Sequence, residues 1–332
     1  MFLCAISCTF ARRKNRNTLF EMQYIGELIS IGVAASWTIA ALGSEIGSRK
    51  VGVVAMNAWR LGVAFLLSCV LMYFVFGSPV PQYASVSTVG VLLLSGVIGF
   101  FFGDWCLFKS YMVIGSRFGM LFMAMAPMFT AFFAWIILGQ ELGWRPLLAM
   151  AVTLTGISVV VLGRGKDHHL HLQLPTKGIL YGIGASVGQG LGLVLSKIGL
   201  DGYEHDVPQA LLSEVEGMLP FAANMIRCLA GFACFMLLMM IRRQTDILRT
   251  SSRDRKFMTI MLIVVLTGPF IGVGFSLMAI QYTAAGIAST IQATTPILII
   301  VPTYYLFKQP ITARSVVGAV VSVVGVSLFF LL

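Results

Sequence analysis

Long apolar runs dominate this chain, and the few side chains within them that carry charge or donate hydrogen bonds limit the chemistry it can do. Asp104 is read as the one carboxylate in the middle of such a run, and Arg60 and Arg227 stand inside two others, one in each half of the chain. Counted at 1.5 Å per residue from run ends near 52 and 112, Arg60 and Asp104 both lie about 12 Å deep. The connecting loop is short, so their helices should be neighbours. A lone charge at that depth costs about 2.5–3.5 kcal/mol and pairing is its usual remedy, so an Arg60–Asp104 ion pair is expected. Arg227 has the matching depth in the other half, but the position matching Asp104 there is Val273. Arg227 is then left to meet an anionic group, either a substrate carboxylate or a cluster of carbonyls. The competing reading has both arginines snorkelling to headgroups or bonding backbone carbonyls.

Uncharged polar groups add to this set. Ser36, Trp37, Ser186, Gln189, Gln281, Gln292, Thr294 and Thr295 lie on apolar runs, where turning a hydrogen-bonding group to lipid costs free energy, so they should face inward. The candidate substrate contacts are Trp37, Arg60, Asp104, Gln189, Arg227, Gln292 and Thr295. Met120, Met123 and Met125 fit packing better than a binding stripe.

Catalytic patterns are missing. An intramembrane aspartyl protease needs two acids on facing runs and a Gly-x-Gly-Asp pattern, whereas the sequence around Asp104 reads FFGDW. There is no HExxH, no G-x-S-x-G with a suitable His and no phosphate-cradling loop, so no cofactor and no enzyme activity is expected. The six cysteines form no C-x-x-C pair. His168, His169 and His171 could take a metal, but no Cys or acidic cluster at ligand spacing joins them, and a solvated linker is the simpler reading.

The elements that must position these groups follow from composition. At 58% hydrophobic and 11% charged residues, with mean hydropathy +0.90, the chain has too few polar side chains to cover a water-soluble surface of 332 residues. Spans are expected at about 24–43, 52–76, 87–112, 116–138, 145–163, 178–199, 219–241, 257–281, 286–307 and 313–331. The second half repeats the first. A shift of 169 places Gly99 on Gly268, Gly103 on Gly272, Ala124 on Ala293, Pro127 on Pro296, Arg145 on Arg314 and Gly156 on Gly325. Five spans per repeat is odd, so the halves should enter the membrane from opposite faces as inverted repeats around a pseudo-symmetric carrier-like body. The domains are then an N-terminal extension, 1–22; a first repeat, 23–163; a linker, 164–177; and a second repeat, 178–332. Met22 is read as the natural start, because the basic cluster Arg12, Arg13, Lys14 and Arg16 follows the short apolar run instead of preceding it.

Orientation follows from loop charge. The loops after odd-numbered spans hold fifteen Lys and Arg, against Arg145 and Lys197 opposite once the extension is set aside. Odd loops are therefore assigned to the cytoplasm and both termini to the outside of the cell membrane. The net +10 is loop charge of this kind, not a nucleic-acid patch. The stretch 242–256 reads as a positive-inside anchor with some headgroup contact.

These residues carry a resemblance. The small-and-Trp first span ASWTIAALGSEIG (35–47), the second spans NAWRLGVAF (57–65) and NMIRCLAGF (224–232), and a fourth span with a central Pro followed by LGQEL (138–142) resemble the drug/metabolite transporter superfamily in its EamA branch. The match runs from about Met22 to Leu332. The resemblance implies ten helices in two inverted five-helix repeats, a central cavity, and transport of a small metabolite, an amino acid or similar solute, with export favoured over uptake. One departure is Pro310 where the first half has Glu141, so Glu141 is read as a helix-end residue and not as half of a functional pair.

Backbone punctuation also points to a cavity. Gly96, Gly99 and Gly103 in the third span answer Gly268, Pro269, Gly272 and Gly274 in the eighth; Pro127 answers Pro296. Helix breakers at matching places of two halves mark a midplane site. Close packing is the alternative for the glycines. A membrane-embedded enzyme or a channel is the rival function, and coupling to protons and a homodimer are admitted by the sequence.

Overall fold

The computed structural model describes residues 25–139, 143–164, 170–172, 174–270, 272–273, 275–276, 279, 288 and 291–331. Among the described residues seven helices are long and apolar enough to cross a membrane: α1 Ile25–Val51, α2 Val53–Phe74, α3 Val86–Ile114, α4 Ser116–Leu138, α5 Trp144–Val161, α6 Thr176–Asp206 and α7 Leu219–Ile241. Three further helices follow: α8 Arg255–Val265, α9 Thr295–Phe307 and α10 Ala313–Leu331. Gln281, Glu141, His168 and His169 lie outside the described residues.

Two expected boundaries are corrected. Helix α1 runs on past 43 to Val51, and α6 past 199 to Asp206, so Arg49, Lys50, Asp201 and Glu204 stand on helices and not in loops. The reason is that hydropathy locates the apolar slab, about 30 Å thick, whereas 27 and 31 residues of helix reach about 40 and 46 Å. Backbone hydrogen bonding simply continues into the polar zone. The linker differs too: Leu162–Arg164 (β1) pairs antiparallel with Leu170–Leu172 (β2), a small hairpin in an otherwise helical structure.

Duplication is visible in the backbone. Helix α3 switches to π geometry at Val97–Gly103 and the continuation of α8 does so at Leu266–Phe270, starting 169 residues later. The fourth span breaks at Ala124 and Met125, just before Pro127, and the ninth at Ala293 and Thr294, just before Pro296. Each proline thus opens a new helical segment, where its missing N–H costs nothing.

Packing obeys the same symmetry. Helix α5 packs on α10 and α2 on α7, each against its own counterpart, and the α3–α6 contact answers α8–α1. Between α5 and α10 a Cβ on Gly156 would strike Ser322, and one on Gly325 would strike Thr153. Those two pairs exchange under the 169-residue shift, the self-complementary pattern of a two-fold contact. Glycines of α3 meet glycines of α6 in the same close fashion, Gly103 on Gly188 and Gly99 on Gly192, which is the packing role that small residues play where lipid gives no hydrophobic drive.

Contacts between loops sort the helix ends onto two faces. Asp254 pairs with Lys50 and Ser251 accepts from Trp59 Nε1 at 2.9 Å, joining the α1–α2 and α7–α8 connections. Arg117 donates to the Pro310 carbonyl at 3.1 Å, joining α3–α4 to α9–α10. On the other face Asp206 accepts from the Ser85 amide at 2.9 Å and Thr88 Oγ1 at 2.6 Å, joining α2–α3 to α6–α7.

Candidate functional site

Four of the seven candidate residues come together where α2, α3, α6 and α7 meet. Asp104 is buried at 4% exposure, just after the π segment of α3, and its Oδ2 takes the Arg60 guanidinium. Its Oδ1 accepts from Gln189 Nε2 at 2.8 Å, and the same amide lies 3.2 Å from the Gly99 carbonyl inside the π segment. So the backbone irregularity of α3 finds a donor on α6. Arg60 lies over the Phe108 ring at 5.0 Å.

Arg227 differs from Arg60 although the repeat equates them. Its guanidinium lies over Phe100 at 4.5 Å, beside Gly99, where a Cβ would stand 3.2 Å from its terminal nitrogen. It is close enough for its charge to act on Asp104, yet among the described residues it has no ion pair or hydrogen-bond partner; its Nε, like that of Arg60, is buried unsatisfied. Two arginines thus stand near one carboxylate, and only Arg60 pairs with it. A cation–π contact is worth about 0.5–2 kcal/mol, less than the desolvation of a buried charge.

The other candidates sit apart from this cluster. Trp37, 39% exposed, turns its indole nitrogen toward Gly272, 3.1 Å from where a Cβ there would stand. Thr295 is buried and donates back to the Gln292 carbonyl at 2.9 Å, which occupies its hydroxyl at the helix break; Gln292 is half-buried. Ser186 is buried, donating to the Phe122 carbonyl of α4 at 2.7 Å.

Asp104 is not the only carboxylate buried in a span. Glu45 has no exposed surface: its Oε1 accepts from Arg49 at 2.7 and 3.1 Å, and its Oε2 from the Ser116 amide at 2.6 Å. Hydropathy ends the first span at 43 and so leaves Glu45 outside it; the i, i+4 spacing to Arg49 is the signal that could have drawn it in. Asn224, buried, donates to the Pro269 carbonyl at 3.3 Å in the second π segment. A cavity of about 200 Å³ lined by Gly52, Lys109, Arg242 and Gln244 lies near the same face as Glu45. It is smaller than the ~300–1,000 Å³ of usual small-molecule sites and lies away from the Arg60–Asp104 cluster.

The EamA-like transporter family model matches residues 24–162 and, a second time, residues 176–331. The chain belongs to that family. It is therefore a multi-pass membrane protein of a family of small-solute transporters, and the EamA-like model matches it once in each half. One solved structure, titled only as a crystal structure of a protein, aligns over 92% of this chain and 96% of its own with a TM-score of 0.55 at 15% identity, which speaks for the fold alone. No curated protein matches the chain.

Proposed function

We propose that this EamA-like protein moves a small organic solute bearing a carboxylate or similar anionic group across the cell membrane by alternating access, with export favoured over uptake. The observation that carries this reading is Arg227, a half-buried guanidinium with a buried, unsatisfied Nε, beside an ion pair that already uses the one carboxylate near it among the described residues. Three groups of net charge +1 in an apolar interior favour a ligand that brings the missing negative charge. Phe100, under the Arg227 guanidinium, gives such a ligand a flat aromatic wall. Trp37 of the first half and Gln189, Gln292 and Thr295 of the second complete the candidate lining. Arg60 and Asp104 support the site from behind.

In this reading the ten spans form two inverted repeats, 23–163 and 178–332, joined by the linker 164–177, with the basic odd-numbered connections in the cytoplasm. Matching π turns and proline breaks in both halves supply the pliable points that rocking between two states needs. Flux into proteoliposomes tests it. Saturable uptake of a small carboxylate, competed by carboxylates but not by their methyl esters and lost in Arg227→Ala at normal protein yield, is the expected result. Non-saturating flux, or equal competition by acid and ester, overturns it.

A further inference from the structure

The first and sixth spans carry the same motif with opposite charge. Spans one and six match with a shift of 152 instead of 169, since Gly268 meets Ala40 as its counterpart Gly99 meets Gly192; residues 44–49 read SEIGSR and residues 196–201 read SKIGLD, so Glu45 answers Lys197 and Arg49 answers Asp201. Both i, i+4 pairs form: Glu45–Arg49 near the end of α1 and Lys197–Asp201 near the end of α6. The two ends lie on opposite faces, since the α1–α2 connection joins α7–α8 and the α6–α7 connection joins α2–α3.

Their surroundings differ. The Glu45 side chain is 0% exposed, whereas those of Lys197 and Asp201 are 63% and 53% exposed. Besides Arg49, Glu45 holds the backbone amide of Ser116, the first residue of α4, next to Gly115, whose φ of +85° leaves no room for a side chain on that turn. Around this contact the α9–α10 connection closes in: Gln309 lies against Gly115, Arg117 reaches the Pro310 carbonyl, and Arg49 lies 5.7 Å from the Phe307 ring centre. A carboxylate suits a helix N-terminus, where amide donors are unpaired and the dipole is positive. A lysine does not. By the 169-residue register the counterpart of Ser116 is position 285, outside the described residues, and an ammonium at Lys197 has no lone pair to accept an amide there.

We propose that Glu45 is a latch that seals the odd-loop face onto the head of α4. On the opposite face, where Lys197 takes its place, the carboxylate on a helix head is instead Asp206 on α3, so the two faces are held by different residues and Glu45 can be released without touching the other closure. This rests on the alternating-access reading but not on the identity of the solute.

The test uses the full chain without its native cysteines, with Gln309→Cys as reporter and a membrane-impermeant maleimide applied to each side of oriented vesicles. The parent should label slowly. Glu45→Ala should raise the labelling rate about tenfold, and Glu45→Gln, which still accepts an amide proton, by less. If the Glu45 variants label within twofold of the parent, there is no latch. Labelling needs no substrate, so a failed flux assay with shifted labelling would discredit the solute and leave the latch standing.

Discussion

Gln189 donates to Oδ1 of Asp104 at 2.8 Å, and this one bond ties the first span of the second half to the charged centre of the first. With Oδ2 given to Arg60, the carboxylate is engaged on both oxygens and Arg227 is left over. Interhelical hydrogen bonds in bilayers average about 0.6 kcal/mol, whereas an uncompensated charge costs about 2.5–3.5 kcal/mol, so the ion pair outweighs the amide.

Asp104→Asn should therefore cut the folded yield sharply, by up to roughly a few hundredfold in the folding equilibrium if the full charge penalty applies. The exchange Arg60→Asp with Asp104→Arg should restore part of it, measured as monodisperse protein after extraction. Gln189→Leu should be far milder. An Asp104→Asn protein that assembles and transports like the parent would remove the pairing argument altogether.

Accessibility distinguishes lining from packing. Cysteines at positions 189 and 292 should react with small water-soluble thiol reagents in at least one state of the cycle, and excess solute should slow the reaction. Inert cysteines at both positions would take the two glutamines out of the pathway.

Topology gives a third check. A reporter fused after Leu332 should be active only when it requires the external side, and one inserted in 242–256 only when it requires the cytoplasm. The opposite result would invert every statement about which face Glu45 closes.

Replacing Gly156 by Val should prevent α5 and α10 from approaching, since even one carbon there meets the Ser322 backbone. The same change at Gly325 should be equally damaging, because the two sites are equivalent in the two-fold contact. Gly90, which has open space around it, should accept Ala without loss of yield. Thermal denaturation of the three purified variants would rank them.

At the odd-loop face, hydrogen bonds from Lys50 and from the Phe257 amide, the latter at 3.1 Å, hold the Asp254 carboxyl below its ordinary value. A depressed carboxylate stabilises above its unfolded value near 4, and that contribution is lost as pH falls through the folded one. Protease cleavage within 242–256 should thus stay flat from neutral pH down to about 4 and rise below it. Asp254→Asn should flatten that rise, and high salt should weaken it, as expected of an exposed pair.

The repeat, the ion pair and the glycine contacts were legible because each depends on type and spacing: the 169-residue register carries the π turns and proline breaks as well as the residues. Depth counting worked for Arg60 and Asp104 since α2 and α3 are regular helices between those residues and the nearer helix ends. It failed for Glu45, where hydropathy measures the lipid slab and says nothing of a polar side chain folded back under a neighbouring helix. The leftover Arg227 followed from Val273, but its place on Phe100 and beside Gly99 did not, because a lateral contact between non-consecutive helices leaves no periodic trace. The linker hairpin was equally silent, its strands being three residues each.

Among the described residues, α5 touches little besides α10. The helix that completes the first half in sequence thus waits for α10, made after the rest of the second half, before it can bury its glycine face. Until then Gly156 and Thr153 have no partner across the seam. Order along the chain and order of assembly are therefore opposed here, and the contact that closes the seam joins two helices far apart in sequence.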